Sequence, residues 1–213
     1  MSPAEHPVES NCPAWVFFAL GNPGRRYVRT RHNFAWLVLD RFLKRRCIRL
    51  RRAGGPWKEA RAEIGGSPVV LAQPMTYMNR SGAAAAALLR HHRAQPQALL
   101  AVFDDLDIPF GALRLRRQGG AAGHRGVLSI IESLGTRGFA RLRLGLGGIP
   151  FQGEAADFVL EEFSAGEWMI AEEVCERASE ALEAVARQGL DAAMNQFNAA
   201  PTAEAEAGTG TAE

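Results

Sequence analysis

The sequence predicts an α/β protein, a single-domain three-layer α/β/α sandwich around a twisted, mixed, mainly parallel sheet. Short apolar runs alternate with longer segments of helical period along most of the chain, the order expected of strands covered by helices. The 213 residues are 47% hydrophobic, enough for one core of ordinary size. No internal repeat divides them.

Residues 1–13 are polar and carry Pro3, Pro7 and Pro13, so a disordered leader is expected there. Trp15 to Leu20 is an apolar run that reads as a buried strand. The turn Gly21-Asn22-Pro23-Gly24 ends it, because Gly permits positive φ and Pro cannot continue a ladder. A helix is predicted over 32–46, its pattern clearest from Phe34 to Phe42. Strands over 60–64 and 68–72 lead to an alanine-rich helix over 79–93. Strands over 98–103 and 112–116, a helix over 124–134 and a strand over 141–146 follow. In the helix 166–188, Ile170, Val174, Ala178, Ala181, Leu182 and Val185 keep one face apolar, while Glu172, Glu173, Glu176, Glu180 and Glu183 lie elsewhere. Gly189 stops it, and a last helix covers 190–198. Residues 199–213 are low in complexity and cannot bury a core. They read as a disordered acidic tail, leaving 14–198 as the folded unit.

No apolar stretch reaches the roughly 18 residues of a membrane span, so no membrane partner is expected. The N-terminus lacks the basic and then apolar regions of a secretory signal. Cys12, Cys47 and Cys175 are odd in number and have no metal or redox spacing, which predicts free thiols in a reducing cytoplasm. The net charge of +2 conceals an asymmetry: residues 1–150 hold 23 Lys and Arg against 9 Asp and Glu, residues 151–213 hold 2 against 14. So basic a body is drawn to a polyanion. A solvated face balanced by the acidic end explains the same numbers, and both readings stand at this point.

Among the histidines, His32 falls where a strand-loop-helix unit presents side chains at the carboxyl end of a sheet, the place where open α/β sheets bind ligands. The run Ala98–Phe103 delivers Asp104 to the same end if both strands are parallel. A carboxylate on one ring nitrogen fixes the tautomer and leaves the other nitrogen to accept a proton. The positive end of the helix disfavours charge on the ring and Asp104 favours it. Near cancellation predicts a mostly neutral imidazole at about pH 7.5, starting from roughly 6.5. Spacing alone leaves open that His32 merely caps a helix and Asp104 merely ends a strand. His91 and His92 end the alanine-rich helix and are expected at its surface.

Asn22 and Asn79 offer amides that can grip a carbonyl or a developing oxyanion; alternatively Asn22 serves the turn and Asn79 caps a helix. The chain lacks G-x-S-x-G, S-x-x-K, a Walker loop, H-E-x-x-H and C-x-x-C. No cofactor and no metal are expected, and attack by an activated water is the economical mechanism. Arg114, Arg116, Arg117, Arg141 and Arg143 are candidate phosphate contacts. The run Lys44-Arg45-Arg46, Arg49, Arg51-Arg52 reads as a solvated helix end and loop.

Five segments, GNPGRRY…TRHN, PMTYMNRSG, FDDLDIPFG, GHRGVLSIIESLGT…FARLRLGLG and ADFVL…AMNQFN, together resemble the bacterial-type peptidyl-tRNA hydrolase family from about Trp15 to Asn198. The resemblance implies hydrolysis of the ester between a peptide and the 3′-terminal ribose of tRNA, by a monomer. Its catalytic residues would be His32, Asp104 and Asn22. Tyr27, Met78, Asn79 and Arg125 match substrate-binding positions, and Arg116 and Arg143 match basic positions used for tRNA. A non-catalytic RNA-binding relative and a small-molecule esterase are the alternatives. Three departures stand out. Ala122-Gly123-His124-Arg125-Gly126 replaces the family's Gly-Gly-His-Asn-Gly, Ala35 replaces a glycine, and Ile149–Ala156, matching a mobile flap, has no Lys or Arg. Arg125 cannot accept a hydrogen bond, so altered affinity for the peptide side is expected without loss of hydrolysis.

Overall fold

The computed structural model describes residues 12–148 and 154–198; the expected leader up to residue 11, the tail 199–213 and residues 149–153 of the flap segment lie outside the described residues. Seven strands form one sheet: β1 (Trp15–Ala19), β2 (Arg51–Arg52), β3 (Trp57–Ile64), β4 (Ser67–Pro74), β5 (Leu99–Asp105), β6 (Leu113–Arg116) and β7 (Ala140–Gly145). Their spatial order is β2-β3-β4-β1-β5-β7-β6. β4, β1, β5 and β7 run parallel through the centre, and antiparallel pairs close both edges. The helices are α1 (Phe34–Arg45), α2 (Ser81–His91), α3 (Arg125–Leu134), α4 (Ala155–Phe158), α5 (Ala165–Gln188) and α6 (Leu190–Phe197).

The period of two along β1 divides the core. Phe17 and Ala19 pack with α1, α5 and α6 on one face, while Val16, Phe18 and Leu20 pack with α2 and α3 on the other. The result is the expected three-layer sandwich. Helix ends follow local chemistry. Ser164 and Glu167 form a capping box at the start of α5, and Gly135 ends α3 at φ +66°. Among the described residues no helix is long and apolar enough to cross a membrane. All three cysteines are free, with Cys175 buried.

Several expectations need correction. β3 starts at Trp57, ahead of the expected residue 60, and the two-residue edge strand β2 and the single-turn α4 carry no pattern long enough to read. His32 lies in a 3-10 turn, Arg31–Asn33, ahead of α1 and not inside it. Asp104 and Asp105 do not follow β5 but end it, both buried.

The acidic C-terminal part does not float free of the basic body. Glu176 pairs with Arg41 and Arg45, Glu183 with Arg46, Glu161 and Glu167 with Arg31, and Asp191 with Arg117. Part of the charge asymmetry is therefore neutralised within the fold, at the α1–α5 contact, around Arg31 and at the start of α6.

Candidate active site

At the carboxyl ends of β1 and β5 a crevice of about 670 Å³ opens, lined by Asn22, Tyr27, His32, Met78, Asn79, Asp104, His124 and Arg125 among others. Parallel β1 and β5 are direct neighbours, which is how positions 32 and 104 meet. His32 Nδ1 lies 3.0 and 2.9 Å from the two oxygens of Asp104. The carboxylate accepts, so Nδ1 carries the proton and Nε2 is left on the side away from Asp104. The His32 side chain keeps 12% exposure against 2% for Asp104: the acid is sealed in and the ring reaches the crevice.

A second imidazole completes the arrangement. His124 Nε2 lies 3.3 Å from Asp104 Oδ1, and its Nδ1 accepts the backbone N–H of Val127 at 3.2 Å, capping α3. One hydrogen bond fixes the tautomer needed for the other, so His124 also donates to Asp104. The two rings sit 4.9 Å apart, and Phe103 backs His124 at 5.0 Å. Ligand atoms of His32, Asp104 and His124 lie within 4.8 Å of one another. The inward nitrogens, however, are N–H donors to a shared carboxylate, a proton-bound trio unsuited to holding a cation without losing those bonds.

Burial is the largest influence on His32 and lowers its pKa, but the charge and hydrogen bond of Asp104 outweigh it, so the ring stands above its usual 6.5. Arg125 pulls the other way. This corrects the expected near cancellation at a helix end: the opposing influence is burial. Burial likewise pushes Asp104 up, and the two imidazoles overcome it, holding the carboxyl far below its ordinary range.

Asn22 is buried and doubly fixed. Its backbone N–H donates to Asn33 Oδ1 at 2.8 Å, and Asn33 Nδ2 returns a bond to its carbonyl at 3.1 Å. Its side-chain Oδ1 accepts the N–H of Met78 at 2.8 Å. That bond assigns the amide, so Nδ2 is the group left to donate toward the crevice. Asn79 is exposed in a 3-10 turn, and the cap of α2 is Arg80; the helix-capping reading of Asn79 therefore fails. Arg125 opens α3, exposed, at the crevice wall. Ala122 takes φ +46°, a left-handed conformation that costs a residue with a Cβ about 1–2 kcal/mol. Ala35 is fully buried in the α1 layer.

The loop before α1 is clamped from the far side. Arg31 N–H donates to the Glu161 carbonyl at 3.0 Å and His32 N–H to that of Val159 at 2.7 Å. The Arg31 guanidinium, buried, bonds Glu161 and Glu167 and covers Phe158 at 4.3 Å. Val159 and Leu160 thus form part of the crevice wall.

The arginines divide. Arg116 is exposed at the outer edge of the sheet. Arg143 Nε donates to Asp105 at 2.6 Å, and Arg114 donates to the Asn198 carbonyl. Arg141 is withdrawn from the list of phosphate contacts. At 2% exposure its guanidinium caps the carbonyls of Arg137, Phe139 and Gly119 and covers the Phe139 ring. Burial, with Arg143 and Arg137 nearby, lowers its pKa to about 10. His92 is also misplaced by the sequence reading: it is buried and bonded to Glu59 at 2.9 Å.

Sequence reasoning missed His124 and Asn33. Asn33 adjoins His32 within the TRHN segment, so its signal was present. His124 also had a signal, since it matches the histidine of the Gly-Gly-His-Asn-Gly pattern, but it was assigned no role.

Residues 16–206 match the family model described as peptidyl-tRNA hydrolase. A peptidyl-tRNA hydrolase of Chloroflexus aggregans is 44% identical over 185 residues, 86% of this chain and 98% of that protein. That of Aquifex aeolicus is 44% identical over 164 residues, 75% of this chain and 83% of the relative. The crystal structure of the Acinetobacter baumannii peptidyl-tRNA hydrolase superposes with a TM-score of 0.81 at 31% identity, covering 89% of this chain and 96% of that one. The chain belongs to the peptidyl-tRNA hydrolase family.

Proposed function

We propose that this protein hydrolyses the ester joining a peptide, or an N-blocked amino acid, to the 3′-terminal ribose of tRNA. One observation carries the reading: a buried Asp104 takes a hydrogen bond from His32 Nδ1, which leaves His32 Nε2 unbonded to it in the crevice that Asn22 also lines. A water bonded to Nε2 gives up its proton to the ring as its oxygen attacks the ester carbonyl. The carbonyl π electrons move onto oxygen, where Asn22 Nδ2 and the Asn79 side chain donate to the developing charge. Collapse re-forms the carbonyl and breaks the bond to the ribose oxygen, which leaves with the proton that His32 had accepted. Asp104 stabilises the imidazolium between the two transfers, and its second bond, to His124, keeps it oriented.

Tyr27, Met78 and Arg125 wall the peptide side of the crevice. The CCA end enters the crevice, and Arg116 and Arg143 meet backbone phosphates along the β6–β7 edge. The protein acts as a monomer in the cytoplasm. Release of N-acylated amino acid from tRNA, compared between the parent and His32→Ala, is the direct test. A loss of about 10²–10⁴ in rate is expected for a positioned base. Equal rates would remove His32 from the chemistry. Tight tRNA binding without turnover by the parent would favour an RNA-binding relative, and cleavage of simple esters undiminished by excess tRNA would favour a small-molecule esterase.

A further inference from the structure

The acids of α5 neutralise α1 only as far as Arg46. Beyond it, Arg49, Arg51 and Arg52 have no acidic partner among the described residues, and all three are exposed. With Arg61 and His91 they line a groove of about 480 Å³ at the β2–β3 edge of the sheet.

The single carboxylate in that groove is already engaged. Glu59 accepts from Trp57 Nε1 at 2.8 Å, lies 2.9 Å from His92 Nε2 and 3.7 Å from Arg61, and has 13% side-chain exposure. Glu59, His91 and His92 are close enough to share a metal ion, but a cation would enter among four guanidinium groups. An anion fits the field, and planar guanidinium forks suit phosphate oxygens. Among the described residues, the exposed large apolar side chains, Val28, Tyr77, Leu128, Leu160, Met169 and Ile170, all lie outside this groove, so they offer it no wedge for a lipid surface.

The position of the groove decides which phosphate. β2 and β6 are opposite edges of the seven-stranded sheet, about 29 Å apart at roughly 4.8 Å per strand. Helix α2 starts at the crevice and ends at His91 in the groove, roughly 16 Å away at 1.5 Å per residue. A stem that leaves the central crevice toward Arg116 therefore runs away from Arg51 on the opposite edge. We infer that the groove of Arg49, Arg51, Arg52 and Arg61 binds the phosphate backbone of a second RNA while the acyl-tRNA end occupies the crevice. The inference rests on the assignment of Arg116 to the substrate stem made under the proposed function.

The test measures binding of a short, blunt, labelled RNA duplex across a salt series. The protein is used alone and preloaded with tRNA carrying its acyl-amino acid through a non-hydrolysable 3′ amide. Binding to both forms is expected. In the variant Arg49→Gln, Arg51→Gln, Arg52→Gln, affinity should fall about tenfold or more and the log–log salt slope should become shallower by about 2 to 3. Hydrolysis of free substrate should stay within about twofold, the sites being far apart. Unchanged affinity and slope in this variant, with its circular dichroism melt intact, would overturn the inference. So would loss of duplex binding on preloading, a raised KM in the variant (the groove then holding the substrate itself), or charge-dependent capture by phosphatidylglycerol vesicles in place of RNA. His32→Ala keeps duplex binding whether or not it hydrolyses, so failure at the crevice is told apart from failure at the groove.

Discussion

Asp104→Asn changes the charge of the central carboxylate and almost nothing of its shape. An amide has one accepting oxygen where the carboxylate has two, and both are in use: Oδ1 by His32 at 3.0 Å and His124 at 3.3 Å, Oδ2 by His32 at 2.9 Å. An NH₂ at the Oδ2 position makes His32 Nδ1 the acceptor and moves the ring proton to Nε2, which removes the base. An NH₂ at the Oδ1 position meets the His124 N–H donor against donor and leaves His32 bonded to an uncharged oxygen that no longer stabilises the imidazolium. A positioned base is worth about 10²–10⁴ in rate. The expected loss in kcat is therefore on the order of 10³, or about 4 kcal/mol in the barrier. The pH profile supplies an independent reading. Both influences that raise the His32 pKa come from Asp104, and burial and Arg125, which remain, both lower it. The acid limb of the residual activity should move to lower pH, below that of the parent and below the ordinary histidine value of 6.5. Acyl release measured from pH 5 to 9, with kcat and KM separated, checks both outcomes. KM should hold, because the Asp104 side chain is only 2% exposed and both its oxygens are engaged by His32 and His124. A kcat within about fivefold of the parent and an unmoved limb would refute the base assignment.

Arg125→Asn removes the positive neighbour that lowers His32, so the acid limb of kcat/KM should move to higher pH; no movement would mean that the guanidinium does not face the ring. Asn22→Asp keeps an oxygen for the Met78 N–H but replaces the Nδ2 donor with a charged acceptor that repels a developing oxyanion; a fall of at least about 10²–10³ in kcat is expected, and a change confined to KM would move Asn22 from the oxyanion to ground-state binding. Gly82→Ala sets a Cβ 1.9 Å from the backbone oxygen of Ser129 where α2 crosses α3; overpacking should cost about 1–3 kcal/mol, a fall of roughly 2–4 °C in Tm per kcal/mol, and an unchanged melt would show that the helices separate freely. The His32–Asp104 pair also ties stability to pH. The raised histidine contributes fully below its ordinary 6.5 and loses this as pH climbs through its folded value, while the depressed carboxyl contributes above its ordinary 3.8 and loses this as pH falls. The Tm advantage of the parent over Asp104→Asn should be largest between those two values and shrink on either side; a constant difference would deny the pair its charge.

What could be read from the sequence, and what could not, separates along a physical line. Central strands such as β1 and β5 are buried on both faces, so they appear as unbroken apolar runs, and the TRHN and FDD segments placed His32 and Asp104 at their ends. β2 is an exposed two-residue edge whose content is Arg51 and Arg52, and nothing apolar marks it. Trp57 to Glu59 looked unlike a strand because its polar side chains are satisfied along the strand, Trp57 on Glu59, and by His92, a contact that exists only after α2 has packed. The acids of α5 were visible as an exposed face, but their partners on α1 were not, since the pairing depends on how two helices cross. The role of His124 was hidden for the same reason: twenty residues from Asp104, it reaches the carboxylate only because α3 begins beside the end of β5. That omission decided the electrostatics. A lone imidazole with a carboxylate at a helix end allows the opposing effects to cancel. A carboxylate buried between two N–H donors must stay ionised, and an ionised Asp104 in so little water holds His32 above its free value. The protonation states of His32, Asp104 and His124 are thus one coupled choice, fixed at the far end by a single backbone N–H, that of Val127.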